Sequence, residues 1–305
     1  MKLRPVLRTL APLLAAALTL AACGGDPTKE NVVPVGGTSK TVIIGSAAFP
    51  ENEIIAEIYA EALAAKGVDV SKKLNIGARE VYIPALRNSE VDLIPEYSGN
   101  LLTYLSPKAK ETSSDDVVQA LGKAVPKGLT VLAPAPAEDK DSLNVTAKFA
   151  KDHGVSSIAD LAKVSGLRLA ANSEFKQRAY GIPGLARVYN ITGVKFTPIG
   201  DGGGPATVKA LVDGDVDVAD IYSTTPSIAA NKLVTLDDPK NLIAAQNVIP
   251  LINAKKATAQ VTEVLNEVSA ALTTEDLLQL NAANQGKDKV APSTLAKDWV
   301  AENLK

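Results

Sequence analysis

Short apolar runs and stretches with helical spacing alternate along this chain, the pattern of a mixed α/β fold. The first run, 41–44, ends at Gly45-Ser46 and predicts a buried strand. Pro50 then opens a helix with Ile54, Ile55, Ile58, Tyr59, Ala62 and Leu63 on one face, Glu51 and Glu53 near its positive end, and Gly67 at its close. A strand around 72–76, a short helix ending near Asn88, a helix from Asp115-Asp116 through Lys123, and a strand at 129–133 follow. The segment 134–141 is too rich in proline and charge for either element and reads as a crossing between lobes. Beyond it the same grammar resumes, with helices at 146–152 and 157–164, strands at 168–171, 195–199 and 216–221, and helices through Tyr189 and over 205–212. After an apolar run at 233–236 the chain returns to the first lobe near 246–252. Amphipathic helices at 258–272, 275–284 and 293–304 close it, the last with Trp299 as a packing anchor.

One stretch occurs twice. Ala85-Leu86, Glu90-Val91-Asp92 and Tyr97-Ser98 recur in register as Ala210-Leu211, Asp215-Val216-Asp217 and Tyr222-Ser223. Each copy reads as a helix end, a tight polar turn, a short strand and a tyrosine just beyond it. A weaker echo relates Val42-Ile43-Ile44-Gly45-Ser46, leading to Phe49, with Arg168-Leu169-Ala170-Ala171-Asn172, leading to Phe175. Two echoes at nearly one spacing predict two lobes of similar build. Ligands of open α/β sheets bind outside the carboxyl ends of the strands, so Tyr97 and Tyr222 are candidates to face one cleft. The alternative is local packing of both tyrosines within a common helix-turn-strand arrangement.

Composition narrows the function. With 305 residues, 46% of them hydrophobic, the chain has material for two cores. A net charge of −2 and the lack of a basic stripe exclude nucleic acid as a partner. Lys2, Arg4 and Arg8 precede the apolar stretch 10–22, which predicts a secretory signal peptide over 1–22. Leu20-Ala21-Ala22-Cys23 resembles a bacterial lipobox, which implies a lipid on Cys23, a flexible tether over 23–40, and residence on the outer face of the bacterial cytoplasmic membrane. Cys23 is the one cysteine, so no internal disulfide forms. Enzyme chemistry finds no footing. There is no Gly-x-Ser-x-Gly and no metal-spaced cluster, His153 is the single histidine, and it sits at a helix end. The run Gly200-Asp201-Gly202-Gly203-Gly204 lacks a following Lys-Ser/Thr pair and reads as a turn; no catalytic residue, metal or cofactor is expected.

Gly45-Ser46-Ala47-Ala48-Phe49, Gly77-Ala78-Arg79-Glu80-Val81-Tyr82-Ile83-Pro84-Ala85-Leu86 and Pro95-Glu96-Tyr97-Ser98-Gly99-Asn100 resemble the substrate-binding proteins of osmoprotectant ABC importers, which take up glycine betaine, choline and carnitine. The resemblance implies an α/β, two-lobe periplasmic-binding-protein-like fold of type II with two inter-lobe crossings. Lobe 1 then comprises 41–137 with 248–305, and lobe 2 comprises 138–247. It also implies a monomer that encloses a small-molecule solute and presents it to an ABC transporter permease. In such proteins an aromatic cage holds the quaternary ammonium, and Arg or Lys pairs the carboxylate. Carried over, Tyr97 and Tyr222 are cage rings with Ser223 beside the second, Asn100 is a carboxylate contact, and Arg178 the arginine. Ser46 and Ala47 fall where relatives often carry Ser-Lys, so that lysine is missing. Asp141, with Asp139 nearby, stands where a further cage tyrosine is common. Such a site favours a cationic or hydroxyl-rich ligand over glycine betaine. A lipid-tethered scaffold without a transport role is the alternative.

Overall fold

The computed structural model describes residues 40–304; the expected signal, Cys23 and nearly all of the tether lie outside the described residues. The chain begins with β1 (Val42–Gly45), α1 (Pro50–Ala65), β2 (Val70–Lys73), α2 (Arg79–Arg87), β3 (Leu93–Tyr97), α3 (Ser98–Leu105), α4 (Ser114–Ala124) and β4 (Leu129–Val131). It continues through β5 (Leu143–Thr146), α5 (Ala147–His153), β6 (Arg168–Ala171), α6 (Ile182–Tyr189), β7 (Lys195–Pro198), α7 (Pro205–Val212), β8 (Val218–Asp220), α8 (Ser227–Ala230) and β9 (Leu233–Thr235). Strand β10 (Val248–Asn253) and helices α9 (Ala259–Ala271), α10 (Thr274–Gln285) and α11 (Pro292–Asn303) complete it.

Two local differences from the sequence reading have physical causes. The second strand stops before 76 because Asn75 is left-handed, with φ of 56°, and its N–H donates to Ser46 Oγ at 2.7 Å. The expected helix at 157–164 is a 3-10 segment, Ile158–Lys163, held at its start by reciprocal hydrogen bonds between Ser157 and Asp160.

The strands form two five-stranded sheets, ordered β2-β1-β3-β10-β4 and β7-β6-β8-β5-β9. Each has a parallel trio followed by one antiparallel strand that enters from the other part of the chain: β10 beside β3, and β5 beside β8. The chain therefore passes between the sheets twice, after β4 and before β10. The repeat in the sequence is the repeat of these trios. Asp92 N donates to the Ile43 carbonyl while Ile43 N donates to Asp92 Oδ2. Asp217 and Arg168 exchange the same pair of bonds. Strand register, Ile44 opposite Leu93 and Leu169 opposite Val218, aligns Ile44 with Leu169. The weaker echo is thus displaced by one position, and the counterpart of Phe49 is Glu174 rather than Phe175.

Helix α1 is buried on nearly every side, between the first sheet and the carboxyl-terminal helices. Trp299 packs in that same core. A second apolar cluster joins the first sheet to three further helices, with Leu86 of α2, Leu101 of α3 and Leu121 of α4 around Ile94 of β3. Burial on both faces pins the short strands whose ends carry the site.

The turns before β3 and β8 share a left-handed residue, Ser89 with φ of 58° and Gly214 with φ of 78°. A Cβ at Gly214 meets nothing within 4 Å, so its replacement tests backbone conformation alone. Gly214→Ala lowers unfolding free energy by about 1 kcal/mol in a urea titration with unchanged slope. An unaltered midpoint would contradict the assignment.

Candidate functional site

The loops past the strand ends of both sheets enclose a cavity of ≈170 Å³. Its wall carries matched residues: Ala47 with Asn172, Phe49 with Glu174, Gly77 with Gly202, and Tyr97 with Tyr222. The members of each pair are as far apart in the chain as Ala85 and Ala210. The cavity is therefore a seam between two copies of one strand-end arrangement, and its chemistry lies in where the copies differ.

Phe49 is the N-cap residue of α1, and Pro50 at the first helical position fixes the chain's entry. Asn52 accepts from Ala47 N at 2.7 Å and donates to the Pro95 carbonyl at 2.9 Å, tying this loop to β3. The Phe49 ring lies 5.9 Å from Tyr97 and 5.4 Å, edge-on, from Tyr222. It thus joins the tyrosines contributed by the two sheets. Gly202 admits this arrangement: its φ is +68°, and a Cβ there would lie 3.2 Å from the Phe49 Cβ. Tyr222 accepts a hydrogen bond from Asn172 Nδ2 at 2.8 Å, and Asn172 Oδ1 accepts from Gly202 N at 3.1 Å.

Carboxyl groups underlie the rings. Glu51, 4% exposed, accepts from the Tyr97 hydroxyl at 2.7 Å, from Asn281 Nδ2 at 2.6 Å and from the Thr224 hydroxyl. Asp139 accepts from Thr224 N at 3.1 Å and the Ser223 hydroxyl at 3.2 Å. Burial raises the pKa of Glu51 against the effect of those donors. Burial, with the neighbouring Glu51 charge, holds Asp139 well above the ordinary aspartate value. Asp220 is raised likewise by burial and by the neighbouring Asp141 charge.

The basic groups differ in availability. Arg79 makes a bidentate pair with Glu96, both bonds 2.8 Å, and Glu96 also receives the Tyr82 hydroxyl and Tyr97 N. Arg178 donates to the Tyr180 hydroxyl at 2.9 Å and more loosely to Glu80 at 3.4 Å; its buried Nε has no partner among the described residues. Burial opposes its charge, but Tyr180, Tyr222 and Asp141 more than offset this, so Arg178 stays protonated.

Of the residues expected from sequence, Ala47, Tyr97, Asn100, Asp139, Asp141, Arg178 and Tyr222 line the cavity. Asn100 is already engaged, donating to Asp141 Oδ2 at 2.7 Å and accepting from Gln246 Nε2 at 2.8 Å. Ser46 and Ser223 do not line it. The Ser46 hydroxyl turns to Asn75 N, and Ser223 bonds Asp139 and Lys140 N behind the wall. Phe49, Arg79, Tyr82, Asn172 and Glu174 were not expected; shifting the echo by one position would have found Glu174 opposite Phe49.

A two-sheet α/β protein crossed twice by its chain, with an aromatic cavity at the seam, is a solute-binding protein of the periplasmic type. The OpuAC family, described as the substrate binding domain of ABC-type glycine betaine transport systems, matches residues 40–302, and the chain belongs to it. It is accordingly a solute-binding component of an ABC importer, acting outside the cytoplasm with a membrane permease as its partner. Among the described residues no helix is long and apolar enough to cross a membrane. The glycine betaine-binding protein YehZ of Escherichia coli is 28% identical over 85% of this chain and 91% of its own length. A glycine-betaine-binding protein of Pseudomonas aeruginosa is 24% identical over 87% and 88%. Among solved structures, a glycine betaine/carnitine/choline ABC transporter protein superposes with a TM-score of 0.66 at 22% identity, over 86% of this chain and 98% of that one. A choline-binding protein in complex with choline gives 0.64 at 15% identity, over 87% of this chain and 89% of that one, and shows the same fold.

The Asp220 shift sets a pH test. A carboxyl whose folded pKa exceeds its unfolded one stabilises fully below about pH 4, and the contribution is lost as pH rises through the folded value. Asp220→Asn removes that loss. Relative to wild type it gains more stability at pH 8 than at pH 4 in paired denaturant melts. An equal difference at both pH values would contradict the burial argument.

Proposed function

We propose that this protein captures a small solute bearing a quaternary ammonium head between lobe 1, residues 41–137 with 248–305, and lobe 2, residues 138–247. The observation that carries this reading is the Phe49 ring set between Tyr97 and Tyr222 over a wall that includes Asp139 and Asp141. Ring faces attract an alkylammonium without a strong hydrogen-bond donor, each contributing about 0.5–2 kcal/mol. The family and the glycine betaine-binding relatives support that ligand class.

The details favour a net cation over glycine betaine. Ala47 offers no positive charge, Arg79 is neutralised by Glu96, and Asn100 already faces Asp141. A carboxylate close to the head would meet Asp139 and Asp141, with Arg178 the one basic group of that wall not held in a close ion pair. A hydroxyl-rich uncharged solute is the second reading, favoured by the Asp139, Asp141 and Asn172 side chains on the cavity wall, whose oxygens accept from hydroxyls. Glu80 on α2 and Arg178 near α6 reach across the seam, a contact that hinge closure at the two crossings makes and breaks. A lipid on Cys23 would hold the monomer at the outer face of the membrane within reach of the permease.

Calorimetric titration tests the ligand class. Choline and tetramethylammonium bind more tightly than glycine betaine, and Phe49→Ala or Tyr222→Ala each weakens choline by roughly 2- to 30-fold. Nanomolar glycine betaine binding with no response to choline would overturn the charge argument; tight polyol binding alone would establish the second reading.

A further inference from the structure

A second cavity, of ≈600 Å³, lies against the ring-lined one, and Arg79, Asn100, Glu174 and Arg178 belong to both walls. The acidic side chains of the ring-lined wall are Asp139, Asp141 and Glu174. The two aspartates have donors. Thr224 N and the Ser223 hydroxyl donate to Asp139, and Asn100 Nδ2 donates to Asp141 at 2.7 Å. Burial and the Glu51 charge further oppose charge on Asp139. The half-buried Glu174 side chain differs: among the described residues no group donates to its carboxylate and no base pairs with it. Its backbone is fixed all the same. Ser173–Lys176 forms a 3-10 turn just after β6, and the Glu174 carbonyl accepts from Gln177 N at 2.9 Å and Arg178 N at 3.0 Å.

Resting on the reading that the ring-lined cavity holds an ammonium head, we propose that Glu174 is a specificity-determining residue, whose unpaired carboxylate biases the site toward a solute of net positive charge and against a zwitterion with the same head. The rings cannot make that distinction. Choline and glycine betaine carry the same trimethylammonium group, so attraction to the faces of Phe49, Tyr97 and Tyr222 is nearly common to both. The bases of the two walls do not cancel Glu174 either. Arg79 is held by Glu96 through two bonds of 2.8 Å, and Arg178 has Glu80 as a looser counter-charge at 3.4 Å. With those charges matched, Glu174 is surplus negative charge shared by both walls. A monocation supplies the missing counter-charge, whereas a zwitterion supplies none in net and sets its own carboxylate in the field of Glu174. The repeat puts Glu174 where the other half has Phe49, so one half offers the head a ring and the other a charge.

The test is calorimetry of choline and glycine betaine on the intact protein and on Glu174→Gln, Glu174→Ser and Glu174→Asp. Both neutral variants weaken choline and tighten glycine betaine, and the ratio of the glycine betaine Kd to the choline Kd falls by about tenfold. Glu174→Asp keeps the charge and holds the ratio near the wild-type value. A purely structural role would weaken both solutes together, so the opposite signs are the readout, and the serine variant carries the test should the glutamine variant fail to fold. An unchanged ratio in the neutral variants, or equal weakening of both solutes, overturns the role of Glu174 and leaves the ring-lined head site standing. A ratio that falls as far in Glu174→Asp overturns the charge argument and the inference with it. Binding of neither solute by the wild type overturns the head site itself.

Discussion

A buried carboxyl in the first turn of α1 joins the halves of this molecule. Glu51 receives Tyr97 from the end of β3, Thr224 from beyond β8, and Asn281 from α10. A carboxyl out of water is costly unless its oxygens are hydrogen-bonded. Here three donors and the positive end of a helix supply that compensation. The arrangement fixes the Tyr97 phenol at one end, leaves its ring to the cavity wall, and brings the Thr224 segment, with Tyr222 two residues earlier, to the same place. The aromatic set at the seam depends on this junction, and Phe49 depends on the same helix start.

Matched positions in the wall explain how a symmetric plan yields an asymmetric site. Gly77 and Gly202 both adopt positive φ in the loops at the seam, and Tyr97 and Tyr222 give each half a ring. Phe49 has Glu174 as its counterpart, and Ala47 has Asn172, so one half supplies apolar surface where the other supplies polar groups. An alkylammonium ion, greasy in its methyl groups and charged overall, suits such a wall. Asp139 and Asp141, from the crossing itself, add carboxyl groups where the two halves meet and bias the seam toward positive ligands.

Much of this was legible in the chain. Helix α7 fell at 205–212 as the spacing required, and the repeat around Tyr97 and Tyr222 reported two equivalent strand trios. The echo between Val42 and Arg168 misled by one position because apolar strands look alike under a single shift; strand pairing and the matching bonds of Asp92 and Asp217 fix the register. That slip hid Glu174 and Asn172. Phe175, the expected partner of Phe49, packs in the second core at 3% exposure. Ser46 and Ser223 sat beside true wall residues, but sequence adjacency does not say which way a hydroxyl turns. The commitment of Arg79 to Glu96 was also invisible, since its partner is distant in the chain and only the fold brings them together.

The central claim is that the rings of Phe49, Tyr97 and Tyr222 surround the head of the bound solute. Nuclear Overhauser contacts between the methyl protons of bound choline and selectively labelled Phe and Tyr rings test it directly. The account requires contacts to those three rings, each abolished in the corresponding alanine variant. Contacts confined to other rings, or none at saturation, would contradict it.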